Sequence, residues 1–244
     1  MSKTSEEIAK ELAERTYRQL GLDPKTGKPL KNVQSPVTSR KFPSTPVIEK
    51  TQRQAKSTQG YKASASWQTA SLLYDLSLLY SRSLSPREFK RKSQFESANR
   101  STVANIEEGW ARPTTREFLE FLGFSQGSLA EVRGDIERLA SDGILPSRPE
   151  SNLKSLGIPT PSRDFPYPPV SARRKPMGID ERLLEYTGRE IKPAGLTYEA
   201  LFELANKTDY LLKRQVEGLQ RKMIEDEEKR KHQAAKTWER KYTS

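Results

Sequence analysis

Cysteine is absent from the 244-residue sequence, and histidine occurs only once, at His232. Without cysteine the chain has neither disulfides nor thiolate metal sites, and the lone histidine stands in a charged stretch without the partners of a catalytic triad. Long apolar runs are also missing, because none approaches the roughly 18 residues that span a bilayer. We therefore predict a protein with no catalytic residues, metal or cofactor and no membrane contact, located in the reducing cytoplasm.

Hydrophobic residues are scarce as well, at 33% against 31% charged residues, and the mean hydropathy is -0.84. A chain of this composition cannot bury enough apolar surface to order its whole length. We predict a short helix at about 5–20, followed by a disordered basic arm up to residue 60. A Pro-rich insertion loop over residues 143–196 holds nine of the 16 prolines, with one short helix near Ile179–Tyr186.

Positive charge exceeds negative charge by 11, and the excess lies outside the apolar centre of the chain. Residues 1–60 hold 12 Lys and Arg against 6 Asp and Glu, whereas residues 61–142 hold 11 of each kind. The remaining residues are again basic. This distribution favours a polyanion such as RNA as the partner, contacted mainly through basic arms.

Four segments show the apolar periodicity of helices, and the second carries a stripe from Phe89 to Ile106. Their start signals are Trp67 after a polar stretch, Ser85–Pro86, the capping box Thr114–Glu117, and Thr197. The last segment becomes almost purely charged after Met223. No segment alternates like a strand, so we predict an all-α fold. We expect an antiparallel up-down four-helix bundle with helices 1–3 in residues 61–142 and helix 4, with a charged extension, in residues 197–244.

Three stretches of the sequence, in this order, characterise a known family: Gln94–Gly109, Thr115–Leu122 and Gly127–Glu131. The chain resembles the four-helix bundle proteins encoded in intervening sequences of bacterial 23S ribosomal RNA, a family related to the accessory variability determinant of diversity-generating retroelements. The similarity extends from Trp67 to Gln215. The family motif positions are Ala104, Asn105, Ile106, Glu108, Gly109, Glu117, Phe118, Gly127, Ser128, Leu129 and Glu131.

The resemblance implies a homopentameric barrel of bundles with a basic surface for RNA, either ribosomal RNA or retroelement RNA, and a protein partner such as a reverse transcriptase. Two departures bear on this inference: Val103 replaces the usual proline, and Glu96–Ser97 replaces a usual arginine pair, which removes positive charge. The leading interpretation is a non-catalytic, oligomeric RNA-binding accessory protein. The alternative is a protein–protein interaction scaffold without nucleic-acid binding.

Several groups of cations are candidates for RNA contact, although a run of charges is also typical of a solvated helix face. Arg112 and Arg116, at the start of the third helix, could form an anion site with its free N–H groups. Arg173, Arg174 and Lys175 form a weaker candidate on the long loop. The main cluster, around the start of the second helix, consists of Arg82, Arg87, Lys90, Arg91, Lys92 and Arg100.

We interpret three motif residues, Asn105, Glu108 and Gly109, as structural and not as binding residues. The glycine is expected to end the helix in a left-handed conformation. The string Gly123–Gly127 matches an esterase motif but lies within a predicted helix, where we interpret its glycines as permitting close helix approach. Excess apolar residues on the first and third helices predict a subunit interface. These residues are Leu72, Leu76, Leu79, Phe121 and Phe124.

Overall fold

The computed structural model describes residues 59–242, and their side chains up to residue 238. This range contains six α-helices and no strand, which confirms the all-α class for this part of the chain. The predicted helix at 5–20 and the rest of the arm before Gln59 lie outside the described residues. The helices are α1 (Ala65–Ser81), α2 (Phe89–Ala111), α3 (Thr115–Ser141), α4 (Val170–Arg174), α5 (Ile179–Thr187) and α6 (Tyr198–Tyr242).

Local sequence signals determine where α3 begins and ends. The Thr114 hydroxyl accepts a hydrogen bond from the backbone N–H of Glu117, and the Glu117 carboxylate accepts one from the backbone N–H of Thr114, which completes a capping box. At the other end Gly143 has a φ of 69°, and the N–H of Ile144 donates to the carbonyl of Leu139. This left-handed glycine closes the helix as the sequence rules expect.

The four long helices pack so that each contacts two others. Helix α1 contacts α2 and α6, and α3 also contacts α2 and α6. The apolar stripe of α3 is fully buried, as are the inward residues of α6. The buried residues of these two helices include Phe118, Leu122, Leu129, Val132, Ile136, Leu139, Leu201, Leu204 and Leu212.

Residues 143–196 have little regular structure, but they are not a solvated loop. Helix α5 and the turn Pro193–Gly195 within this segment contact α1. Its apolar residues belong to the same core as the apolar residues of the long helices. The buried residues are Leu145, Leu153, Ile158, Tyr167, Ile179, Leu183, Tyr186 and Leu196.

The three leucines predicted for a subunit interface on α1 are buried within the single chain. Leu72 and Leu76 are 0% exposed, and Leu79 is 5% exposed. The predicted exposure of this face is therefore wrong, because α1 is covered on the side away from α2 and α6 by the chain's own 143–196 segment. The excess of apolar residues on α1 reflects a central helix with neighbours all round.

A buried polar cluster joins the 143–196 segment to α1. The Arg182 guanidinium of α5 donates two hydrogen bonds to the Asp75 carboxylate, from Nε at 2.8 Å and from Nη2 at 2.7 Å. The Tyr167 hydroxyl donates to the same carboxylate. Burial raises the pKa of Tyr167 well above its ordinary value, and the charge of Asp75 raises this pKa further, so the phenol stays a neutral donor. The cluster satisfies Asp75, whose side chain is 4% exposed.

Candidate nucleic-acid interface

The turn between α1 and α2 holds five cations within 11 residues, from Arg82 to Lys92. Pro86 opens a short 3-10 helix, Pro86–Glu88, and the Ser85 hydroxyl accepts a hydrogen bond from the backbone N–H of Arg87 at 3.3 Å. Helix α2 follows directly at Phe89. The side chains of Arg87, Phe89 and Lys90 are all exposed to solvent at this turn.

Ion pairs neutralise most of the remaining cluster. Arg91 bonds Asp142 at the end of α3 at 2.7 Å and Glu88 at 3.3 Å. Arg82 pairs with Asp180 at 3.1 Å, and Lys92 approaches Glu96 at 4.0 Å. Among the residues that the structure describes, Arg87 and Lys90 are the members of the group Arg82 to Lys92 for which no carboxylate lies within salt-bridge distance. These two cations carry the free positive charge of the junction.

A surface groove of about 590 Å³ runs from this turn between the start of α2 and the end of α3. Phe89 lies in it with 71% of its surface exposed, the largest exposure of any bulky apolar residue in the described range. The groove contains acids as well as bases, since Arg138 pairs with Asp135 at 2.7 Å. Its lining residues are Arg87, Glu88, Phe89, Lys90, Arg91, Gln94, Asp135 and Arg138.

The arrangement of Arg87, Phe89 and Lys90 is suited to single-stranded RNA. Unpaired cations bind backbone phosphates, and an exposed aromatic ring offers a surface on which a base can stack. The periodicity of α2 predicts Phe89 in the apolar stripe of the helix, but Phe89 is exposed. The exposure of Phe89 could have been predicted from its position, because it comes directly after the Ser85–Pro86 helix start and before the buried stripe begins.

A second groove of about 370 Å³ shares Gln94, Asp135 and Arg138 with the first and continues along α2 and α3. It includes Ser97, which stands where the family's arginine pair is expected, and the motif residue Glu131. The groove thus becomes less basic with distance from the turn. We place the candidate interface at the turn end for this reason.

The two arginines of the anion site predicted at the start of α3 already interact with residues of the same chain. Arg112 pairs with Glu108 and stacks over the ring of Phe121, with 4.4 Å from Cζ to the ring centroid. Arg116 lies 3.8 Å from Glu120. The Glu117 carboxylate also occupies the helix terminus, and the side-chain hydrogen bond from Thr114 lowers the pKa of Glu117. A role of Arg112 and Arg116 in phosphate contact stays a prediction.

The other predicted cations do not line the two grooves. Arg100 is exposed on α2, and Arg174 and Lys175 are exposed at the end of α4. Arg173 differs from them because its Nε and Nη2 atoms are buried without a hydrogen-bond partner, and burial lowers the pKa of its guanidinium. The structure therefore brings only Arg87, Lys90 and Arg91 together at one groove.

Five of the eleven family motif residues have structural roles in the described part of the chain. Ile106, Phe118 and Leu129 are buried in the core, and Glu117 caps α3. Gly109 lies within α2 and has no positive φ, so its predicted role as a left-handed stop is wrong. The reason for glycine is space, because a Cβ there would lie 2.6 Å from Cβ of Phe121 and 2.8 Å from Cδ2 of Phe118. Glycine thus permits the close approach of α2 and α3.

The remaining motif residues lie at or near the surface. Asn105 and Ser128 are half-buried, whereas Ala104, Glu108, Gly127 and Glu131 are exposed. A Cβ at Gly123 or Gly127 would meet nothing within 4 Å among the described residues, so the close helix approach predicted for these glycines is wrong for this part of the chain. Beside them Phe124 is 59% exposed, and its ring contacts the half-buried Phe121 edge-on, with centroids 5.6 Å apart. No described residue covers this side of α3.

Residues 62–156 match the family model described as 23S rRNA-intervening sequence protein, which confirms the resemblance inferred from the motifs. Neither the curated proteins nor the solved structures gave a match. Within residues 59–242, no helix combines the length and apolar character of a bilayer-spanning segment. The same range holds no group of three or more His, Cys, Asp or Glu side chains arranged for a metal ion.

Proposed function

We propose that this chain, whose residues 62–156 match the 23S rRNA-intervening sequence protein family, is a non-catalytic, oligomeric RNA-binding accessory protein built on an antiparallel four-helix bundle. The observation that carries the proposal is the turn before α2, where Arg87 and Lys90, which no described carboxylate pairs with, flank the exposed Phe89. Partner RNA is then bound through phosphates and one stacked base, with little dependence on sequence. The basic residues before Gln59 add a second, less directed contribution.

The test is to alter the two contributions of the turn separately. Arg87→Gln with Lys90→Gln is expected to reduce the slope of log affinity against log salt by about 1.4, because each phosphate contact on a single strand contributes about 0.7. Phe89→Ala is expected to weaken single-stranded RNA binding roughly tenfold at constant salt, since one stacked base contributes about 1–3 kcal/mol. Fluorescence anisotropy with a labelled oligonucleotide measures both.

Matched controls use residues of the same type elsewhere. Lys154→Gln with Arg163→Gln removes two exposed cations from the 143–196 segment, and Tyr210→Ala removes an aromatic ring that is 61% exposed on α6. Affinity losses as large in the controls as at the turn would contradict the placement of the site. An affinity that does not change with salt in any variant would favour the interaction scaffold without nucleic-acid binding.

The oligomer belongs to the same proposal, and the family resemblance implies a ring of five subunits. With Leu72, Leu76 and Leu79 buried, its physical support is the open side of α3, where Phe124 projects between the uncrowded Gly123 and Gly127. Small residues beside a large one allow a helix of a second subunit to approach closely and cover the ring.

Phe124→Asp is expected to reduce the number of subunits per particle, because a charge in a contact between subunits is costly to bury. Light scattering coupled to size-exclusion chromatography measures the mass. Phe165→Asp, at a ring that is 46% exposed in the 143–196 segment, is the control and is expected to leave the mass unchanged. A wild-type monomer at micromolar concentration would refute the oligomer.

A further inference from the structure

A groove of about 620 Å³ lies between the segment 153–160, the end of α5 and the first three turns of α6. It shares no lining residue with the two grooves beside α2, so it is separate from the candidate RNA interface. Its volume falls within the range of about 300–1,000 Å³ that is usual for sites of small molecules. Six of its lining residues define its chemistry: Lys154, Gly157, Phe165, Tyr186, Glu203 and Lys207.

The two lysines of this groove have no acidic partner among the described residues. Lys154 is exposed, and the ammonium group of Lys207 donates a hydrogen bond to the hydroxyl of Thr160 at 3.0 Å. Elsewhere on α6, by contrast, Lys213 pairs with Asp209 at 2.7 Å, so the charge of that lysine is compensated within the helix. Two ammonium groups without acidic partners in one groove favour an anion as the ligand.

Gly157 allows a third cation to lie at the groove. Its φ of 60° lies in the left-handed region, where a side chain would be strained. A Cβ at this position would also overlap the guanidinium of Arg189, so glycine lets this guanidinium lie against the backbone. Arg189 is exposed, and within residues 59–242 no carboxylate lies within salt-bridge distance of it. The segment that carries Lys154 therefore also holds the charge of Arg189.

An aromatic ring forms one wall of the groove. Phe165 is 46% exposed, and its ring centroid lies 4.9 Å from that of Tyr186, with 32° between the two planes. Tyr186 is buried, and its hydroxyl donates to the carbonyl of Pro159 at 3.1 Å, which holds the ring in place. Phe165 is thus supported by a fixed ring, while much of its own surface stays accessible to a planar group. Aromatic rings in such positions bind nucleobases by stacking.

Glu203 adds one acceptor at a fixed position. Its Oε2 accepts a hydrogen bond from the backbone N–H of Leu153 at 2.9 Å, whereas its Oε1 has no hydrogen-bond partner among the described residues. A free carboxylate oxygen accepts hydrogen bonds from ribose hydroxyls. The three cations of the groove exceed this one acid by two charges. This excess matches the dianion of a single phosphate monoester and not the many charges of an RNA strand.

We propose that this groove binds a nucleoside monophosphate. The phosphate pairs with Lys154, Lys207 and Arg189. The base stacks on Phe165, and a ribose hydroxyl donates a hydrogen bond to Glu203. This site is additional to the RNA interface at the turn before α2 and depends neither on that interface nor on the oligomer. Because stacking holds the base through its face, the site discriminates little among the bases.

A series of ligands tests which parts of the nucleotide are recognised. Isothermal titration calorimetry of the full chain with AMP is expected to give one bound nucleotide per chain. Adenosine, which lacks the phosphate, and ribose 5-phosphate, which lacks the base, are each expected to bind roughly tenfold more weakly. Inorganic phosphate binding as tightly as AMP would indicate an anion site without a base contact and would overturn the proposal. Absence of AMP binding at millimolar concentration would do the same.

Single substitutions test the residues of the groove. Lys154→Gln and Phe165→Ala are each expected to lower the affinity for AMP roughly tenfold, with helix content unchanged by circular dichroism. Lys154 is exposed, so its replacement leaves the core intact. The matched controls are Lys192→Gln, an exposed cation outside the groove, and Tyr210→Ala, an exposed ring on α6. Losses in these controls as large as those in the groove variants would show that the nucleotide binds elsewhere.

Competition with RNA separates this site from the proposed RNA interface. An excess of a single-stranded oligonucleotide with a 5′-phosphate is expected to leave the affinity for AMP unchanged, because the groove shares no residue with the turn before α2. Displacement of AMP by the oligonucleotide would place the end of an RNA strand in the groove and overturn a separate nucleotide site. The variant with Arg87→Gln and Lys90→Gln is expected to bind AMP as the wild type does. Failure of the RNA interface and failure of the nucleotide site are therefore distinguishable.

Discussion

Replacing Asp75 by alanine is expected to lower the free energy of unfolding by about 3–5 kcal/mol, because it leaves a partly buried guanidinium without its partner. Asp75 accepts both hydrogen bonds from Arg182 and the hydrogen bond from Tyr167. With the carboxylate gone, Arg182 must either remain uncompensated in the protein or move into water and pull α5 away from α1. Urea unfolding monitored by circular dichroism measures the change.

Two variants separate the buried cluster from ordinary surface charge. Tyr167→Phe keeps the ion pair and is expected to cost about 1–3 kcal/mol, the range for one hydrogen bond to a charged group. Asp180→Ala breaks the exposed pair with Arg82 and is expected to change stability by less than about 1 kcal/mol. An effect of Asp75→Ala no larger than that of Asp180→Ala would mean that the cluster does not hold the 143–196 segment on the core.

Removing residues 1–58 is expected to weaken nonspecific RNA binding more than the change of Arg87, Lys90 and Arg91 to glutamine. The removed residues hold 12 Lys and Arg against 6 Asp and Glu, whereas residues 61–142 are neutral. If six net charges contact single-stranded RNA, their loss reduces the salt slope by about 4 and the affinity at moderate salt on the order of 100-fold. Filter binding across a salt series measures both quantities.

A full-length control distinguishes charge from chain length. It retains residues 1–58 but has glutamine at six cations of this segment, namely Lys25, Lys28, Lys31, Arg40, Lys41 and Lys50. This control is expected to reproduce the loss seen on truncation, because phosphate binding depends on the number of cations. A larger loss from the Arg87, Lys90 and Arg91 variant than from truncation would make the groove at α2 the main RNA site.

Helix boundaries were predictable because their causes lie within a few residues of each other. The Ser85–Pro86 start and the Thr114–Glu117 capping box both operate over one helical turn, and α2, α3 and α5 begin within a few residues of their predicted positions. The apolar stripe of α3 was equally predictable, because its helical periodicity is long and regular.

The structure changed the interpretations that depend on which residues lie close in space but far apart in the sequence. Gly109 suggested a helix stop, yet the closeness of Phe118 and Phe121 is what demands a glycine. The leucines of α1 suggested a surface for another subunit, and the prolines of 143–196 suggested a segment without a core. The leucines of α1 and the apolar residues of 143–196 belong to one core. Neither segment indicates this when its sequence is considered alone.

The sequence by itself determined the helical class, the positions of the long helices, the family motif and the excess of basic residues before the helical core. Only the tertiary structure decided which cations remain free, since Arg82 finds Asp180 and Arg91 finds Asp142 across long sequence separations. It also decided that Phe89 is exposed while Leu72 is buried. The physical reason is range: capping and periodicity act between residues one turn apart, whereas burial and ion pairing depend on which distant segment packs against each face.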